Sequence, residues 1–353
     1  MGAGCPLLEA PRFQEADIHP PHPVPPPRDG GRGDDSMTRF LSVRFLQALL
    51  VVVVMSIVVY LLIGLMPGDP IDIMLSGDPN MTAADAARLR AHYGLDRPLY
   101  ERYLEWLGGA VHGDFGFSRQ HHRPVLEILL PRLGNTIVLM IGAFLISVII
   151  AIPAGVYAAR HPRSLVDQAI NLFCFAGISV PVFFLALLLI ILFAVKLGLL
   201  PAGGMKTIGQ SSFTDQLRYL VLPVLTLTIV NIAQVTRYLR SGMIEVLRED
   251  YIRTARAKGA DEHRVVWRHA LRNAMIPTVT IMALEAGTLL SGAVVTETMF
   301  AYLGMGKLIL DSVLANDFNV ALVGLLFACC MTLFLNLVAD LLYAALDPRI
   351  SYR

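Results

Sequence analysis

Residues 133–159 read LGNTIVLMIGAFLISVIIAIPAGVYAA, 27 residues without a charge between Arg132 and Arg160. A helix needs about 20 mostly apolar residues to cross the hydrocarbon core of a bilayer, so this stretch predicts a membrane span. Working outward, charge-free runs of 24 residues lie between Arg44 and Asp69 and of 28 between Asp167 and Lys196. Further runs of 18 and 22 lie between Arg218 and Arg237 and between Asp317 and Asp340. A sixth apolar stretch, from about Asn273 to Phe300, is interrupted only by Glu285 and Glu297. The reading is an all-α membrane protein with six transmembrane helices. Composition agrees: of 353 residues 55% are apolar and 16% charged, against roughly 25% charged in an average soluble domain. The formal net charge of +1 gives no electrostatic case for nucleic acid as a partner.

Lysine and arginine in short flanks set orientation. Arg39 and Arg44 precede the first span, and Arg349 and Arg353 follow the last. Nine basic residues crowd between the fourth and fifth spans: Arg237, Arg240, Arg248, Arg253, Arg256, Lys258, Arg264, Arg268 and Arg272. The loop at 301–317 carries Lys307 alone. Both termini are therefore expected in the cytoplasm. The chain divides into a Pro-rich tail at 1–36, a first span at 37–66 and an extracytoplasmic helical segment at 67–132. A core of five spans follows at 133–345, then a short tail at 346–353.

The tail holds eight of the 21 prolines and is predicted to be disordered; it lacks the apolar region of a signal peptide. In the extracytoplasmic segment, Thr82–His92 and Leu99–Leu107 have helical spacing. Tyr100, Tyr103 and Trp106 there read as interfacial belt residues. Cys5, Cys174, Cys329 and Cys330 form no paired metal spacing. His112, His121 and His122 are the only histidine grouping that suggests a metal, and exposed loop histidines are common; no metal site is assigned.

The loop between the fourth and fifth spans reads EVLREDYIRTARAKGADEHRVVWRHALRNAMIP over 245–277. Its spacing predicts a helix from about Ser241 to Lys258, a break at Gly259-Ala260 and a second helix capped by Asp261. Val246, Leu247, Tyr251, Ile252 and Ala255 make one apolar stripe, and Val265, Val266 and Trp267 another. Composition alone favours a loop that only fixes topology, since any cytoplasmic loop gathers Arg and Lys.

Asp250-Tyr251-Ile252-Arg253-Thr254-Ala255-Arg256-Ala257-Lys258-Gly259 resembles the EAA loop of binding-protein-dependent ABC importer permeases, in the form of the peptide/nickel subfamily. Arg253-Thr254-Ala255 takes the place of the Glu-Ala-Ala triplet, and Gly259 that of its glycine. Arg268–Ala274, Pro67-Gly68-Asp69-Pro70, Leu95–Leu99, Gly113–Ser118, Thr296-Glu297, Asp311–Val313 and Asp340–Tyr343 also resemble that subfamily. The likeness covers about residues 37–353. Leu303 departs from it where proline is usual, and Glu285 where glutamine is common.

The resemblance implies the type I importer permease fold in a bacterial inner membrane. It implies as partners a homologous second permease, two cytosolic ABC ATPases and an extracytoplasmic solute-binding protein. ATP and magnesium would sit on the ATPases, with no cofactor bound by this chain. The loop would be the coupling element: Tyr251 and Ile252 would pack in an ATPase groove, Arg253, Arg256 and Lys258 would orient it, and Thr254, Ala255 and Gly259 would complete the motif. Peptides are the implied cargo, with glutathione or a nickel chelate as alternatives.

No P-loop is present: Gly304-Met305-Gly306-Lys307 is followed by Leu308, and Met205-Lys206-Thr207 lacks the preceding glycine. Within the spans, Asn231, Gln234 and Glu285 are candidates for a translocation path, and hydrogen bonding between helices explains them equally well. Asn336 reads as interhelical glue. Two rivals stand beside the importer: a secondary transporter driven by protons through Glu285, though no repeat links the two halves, and a structural membrane scaffold.

Overall fold

A computed structural model describes residues 32–65, 82, 84–85, 88, 91, 96–209 and 212–346. Most of the Pro-rich tail, Pro67-Gly68-Asp69-Pro70, most of Thr82–His92 and the C-terminal tail lie outside the described residues. Ten helices build the rest: α1 Arg32–Gly64, α2 Leu99–Val111, α3 Val125–Arg160, α4 Leu165–Ser179 and α5 Val182–Lys196. They continue as α6 Phe213–Val246, α7 Asp250–Ala257, α8 Leu271–Met299, α9 Met305–Leu314 and α10 Phe318–Leu346. A short turn at Glu262–Arg264 and a π-helical stretch at Val265–Ala270 lead into α8.

Four stretches among the described residues are each long and apolar enough to span a bilayer: Ser42–Gly64, Val125–Arg160, Phe213–Val246 and Phe318–Leu342. The bent pairs Leu165–Ser179 with Val182–Lys196, and Glu262–Gly287 with Gly292–Met299, bring the number to six when each counts as one span. The third span thus departs from the single helix its charge-free run predicts: α4 and α5 meet at 108°. The cause is local. Pro181 has no N–H to give and drives Val180 to an extended conformation, φ −84° and ψ 123°, which ends α4.

Helix α3 packs along α6, α8 lies between α6 and α10, and α1 lies outside against α10. Leu145, Ile149, Leu172 and Phe334 remain exposed, the surface a bilayer would cover. One apolar core, around Leu129, Leu139, Leu227, Leu289 and Met305, sits toward the α9 end of the bundle. Another, around Val156, Leu239, Met243, Val265 and Val266, sits at the α7 end. Arg44 of α1 pairs with Asp340 of α10 at 3.0 Å.

One expectation for the N-terminal half is corrected and another is extended. Residues 32–36, placed by composition in the disordered tail, belong to α1. Tyr103 and Trp106, expected as belt residues, also pack on α1. Their rings lie 5.4 and 6.0 Å from that of Tyr60, and the Tyr103 hydroxyl is 2.8 Å from Ser56 Oγ. Helix α2 is thereby fastened to α1.

Candidate functional site

The stretch from Ser241 to Lys258, which the sequence suggested as one helix, is broken in two. Helix α6 stops at Val246, and Glu249 turns extended, φ −65° and ψ 148°, before α7 begins at Asp250. The turn has a packing reason. It folds α7 back so that Ile252 is fully buried among Val156, Leu239, Met243, Val265 and Val266; a helix running straight on would carry that side chain away from the core. The break at Gly259 and the cap at Asp261 are as the sequence indicates. Gly259 has φ +78°, a conformation that favours glycine, and Asp261 Oδ2 accepts from His263 N at 3.0 Å.

The candidate coupling residues therefore divide. Ile252, expected to pack in a partner's groove, has no surface to offer, and Ala255 also packs into its own chain. Tyr251 is 43% exposed. Arg253, paired loosely with Asp250 at 3.1 Å, Thr254 and Lys258 also face outward. Arg256 is turned inward on the loop itself: Nε and Nη2 donate to Glu262 Oε2 and Oε1 at 3.1 and 2.9 Å, spanning Gly259. Glu262 holds the Arg256 guanidinium above its ordinary pKa. Val265 and Val266 are buried as their stripe suggests, whereas Trp267 is 40% exposed.

Of the three path candidates the structure joins two. Gln234 Nε2 donates to Glu285 Oε2 at 3.3 Å, bridging α6 and α8. Asn231 is buried, and its amide donates to Leu227 O of its own helix at 2.8 Å.

Three polar clusters went unread in the sequence. At the α7 end, Arg240 of α6 grips Asp167 of α4 through two bonds of 2.6 and 2.8 Å. At the α9 end, Glu297 is fully buried. It accepts from the Thr136 hydroxyl at 2.5 Å and from Lys307 N, in the first turn of α9, at 2.9 Å. A Cβ at Gly304 would collide with that carboxylate, and one at Gly306 would lie 2.8 Å from Val294 Cα. The two glycines thus serve close packing. Burial beside Glu297 pushes the Tyr302 hydroxyl up to about 12, and it donates to Asn135 O at 3.2 Å. Leu303 fits the turn, its carbonyl accepting from Asn135 Nδ2 at 2.8 Å.

The third cluster explains Gly113–Ser118. Asp317 accepts from the Ser118 hydroxyl at 2.5 Å and from the backbone of Arg119 and Gln120 at 3.3 and 3.2 Å. A buried acid close to a small polar or glycine-rich segment is a readable signal; its distant partner is not. His121 Nδ1 lies 3.1 Å from Ser118 Oγ. Among the described residues no three His, Cys, Asp or Glu side chains come together as a metal site would require.

Residues 151–352 match the family described as the binding-protein-dependent transport system inner membrane component, and residues 37–140 match its N-terminal companion. The oligopeptide transport system permease protein of Bacillus subtilis (strain 168) is 39% identical over 90% of this chain and 100% of its own length. The dipeptide transport system permease protein of Escherichia coli (strain K12) is 36% identical over 84% of this chain and 94% of its own length. The glutathione transport system permease protein of Escherichia coli O1:K1 / APEC is 38% identical over 90% and 100%. The chain belongs to the inner-membrane permeases of binding-protein-dependent transport systems. It is a multi-pass membrane protein and a transport component rather than an enzyme.

Proposed function

We propose that this permease subunit moves peptides inward across the cytoplasmic membrane by alternating access, powered by ATP hydrolysis on partner chains. Two full-length peptide-permease relatives support peptides as cargo. The glutathione relative supports a second reading within the same chemistry, since glutathione is itself a modified tripeptide. Membership of the family sets aside the self-driven transporter and the scaffold.

The single observation that carries the mechanism is the build of α7. Ile252 locks the helix to the core while Tyr251, Arg253, Thr254 and Lys258 stand outward. A short helix anchored on one face and polar on the other can pass a push from an ATPase into α3, α6 and α8 without deforming. Closure of an ATPase pair on ATP would then rock this chain against a homologous permease, a rigid-body switch between inward- and outward-facing states. In this reading both termini and α7 face the cytoplasm, the α9 end receives a solute-binding protein, and Gln234 and Glu285 line the path with Asn231 behind them. The test is ATP-dependent uptake of labelled dipeptide by proteoliposomes holding the whole complex. Uptake that stops when 250–259 is scrambled supports the proposal, and uptake unaffected by ATP or by scrambling overturns it.

A further inference from the structure

We infer that the groove between α3, α4 and α6 is a lipid site, holding an acyl chain of an anionic phospholipid whose headgroup sits at Arg163 and Arg237. The site is independent of the cargo the permease carries.

The groove encloses about 760 Å³, within the roughly 300–1,000 Å³ of small-molecule pockets. Its walls include Ile150 and Ala154 of α3, Ala169 and Phe173 of α4, and Leu225 and Ile232 of α6. The lining is apolar apart from Thr228, Thr236 and the Cys174 thiol. Ile150, Val166 and Phe173 are half-exposed, so the groove opens sideways to whatever surrounds these helices, and around membrane spans that is lipid. Its length fits one leaflet: Leu225 to Thr236 covers about 17 Å of α6 by helical rise, roughly half the thickness of the hydrocarbon core. A hydrocarbon chain lying along the helices matches that shape. A neighbouring helix does not, because helices in lipid associate through small residues that let their backbones meet, and the exposed rim here carries Ile146, Leu165 and Phe173.

One end of the groove is charged. Arg163 stands two positions before Leu165, and Arg237 directly follows Thr236. Both arginines are exposed, and among the described residues neither forms a salt bridge. Arg240, one turn further along α6, is by contrast taken up by Asp167. The two arginines thus stand where the phosphate of a lipid lies when its chain fills the groove, and basic pockets between membrane helices suit anionic headgroups.

The experiment uses the complete transporter in phosphatidylcholine nanodiscs doped with a trace of photoactivatable lipid. The probes are phosphatidylglycerol and phosphatidylcholine, each with a diazirine midway along one acyl chain, and adducts are mapped by mass spectrometry. Phosphatidylglycerol is expected to label residues 165–174 more strongly than the bilayer-facing surface around Phe334, and more strongly than phosphatidylcholine does. In Arg163→Gln that preference falls about fivefold, the scale of one basic side chain beside an anionic headgroup. Ala169→Trp, which puts an indole into the groove, abolishes labelling of 165–174 and leaves that around Phe334 unchanged. Because Arg163 is exposed, Arg163→Gln keeps the test open should the filled variant not assemble. Labelling of 165–174 no stronger than around Phe334, or equal for the two lipids, overturns the inference. So does a crosslinker at Phe173 that captures a helix of another subunit, which would make the groove a subunit interface.

Discussion

Arg240 of α6 and Asp167 of α4 form a two-point ion pair, Nε to Oδ1 at 2.6 Å and Nη2 to Oδ2 at 2.8 Å. The Asp167 side chain is 4% exposed, and it also accepts from Arg163 N and Asn171 Nδ2. The pair ties the first arm of the broken span to the helix that leads into the coupling loop. Removing one partner of a buried pair leaves a stranded charge. Such a loss runs to about 3–5 kcal/mol, and because Arg240 is a quarter exposed Arg240→Met is expected to cost about 3 kcal/mol. Thermal unfolding of the detergent-solubilised complex measures it; a shift indistinguishable from wild type contradicts the assignment.

Gly304→Ala tests the seal at the opposite end. The added methyl meets the Glu297 carboxylate, which Thr136 and Lys307 N hold in place. Overpacking of this kind costs about 1–3 kcal/mol. The variant is expected to lower the unfolding temperature while leaving the intrinsic activity of the ATPase subunits intact. Full stability would show that the carboxylate moves freely.

Gly259→Pro tests the break in the loop. Proline fixes φ near −65° where +78° is needed, and it removes the bond from Gly259 N to Arg256 O at 2.9 Å. The chain should still insert in the membrane, while peptide uptake per ATP hydrolysed collapses. Normal uptake would refute the coupling role of the loop.

Arg256 and Glu262 offer a charge-swap test. If the pair acts as a clasp within the loop, Arg256→Glu weakens coupling and Arg256→Glu combined with Glu262→Arg restores it. Surface pairs contribute only about 0–1 kcal/mol to stability, so the readout is the uptake-to-hydrolysis ratio. Failure of the double variant would mean that Arg256 serves a partner chain instead.

Much of this architecture is visible in the order of residues, for reasons that differ by element. Charge-free runs announce membrane segments because the penalty for a charge in lipid applies residue by residue. The same runs are silent about a bend: the stretch from Asp167 to Lys196 is as apolar broken as straight, and Val180-Pro181 was the local sign that it breaks. Gly259 and Asp261 were readable because a positive φ and a helix cap are settled by neighbouring atoms. Ile252 was not, since its burial depends on Val156 and Leu239, more than ten residues away in sequence. Arg240 and Asp167 lie 73 positions apart, and a basic residue in a basic loop gives no hint of a chosen partner. The tie of Gln234 to Glu285 likewise needed the packing of α6 on α8.

Photo-crosslinking from single positions in the assembled complex shows whether α7 is the surface on which an ATPase pushes. A crosslinker at Arg253, on the outward face, should capture an ATPase subunit, with a yield that changes between nucleotide-free and ATP-bound states. The same group at buried Ile252 should capture only this chain. No ATPase adduct from Arg253, or one from Ile252 in a folded complex, would contradict a pushing contact on the outward face of α7.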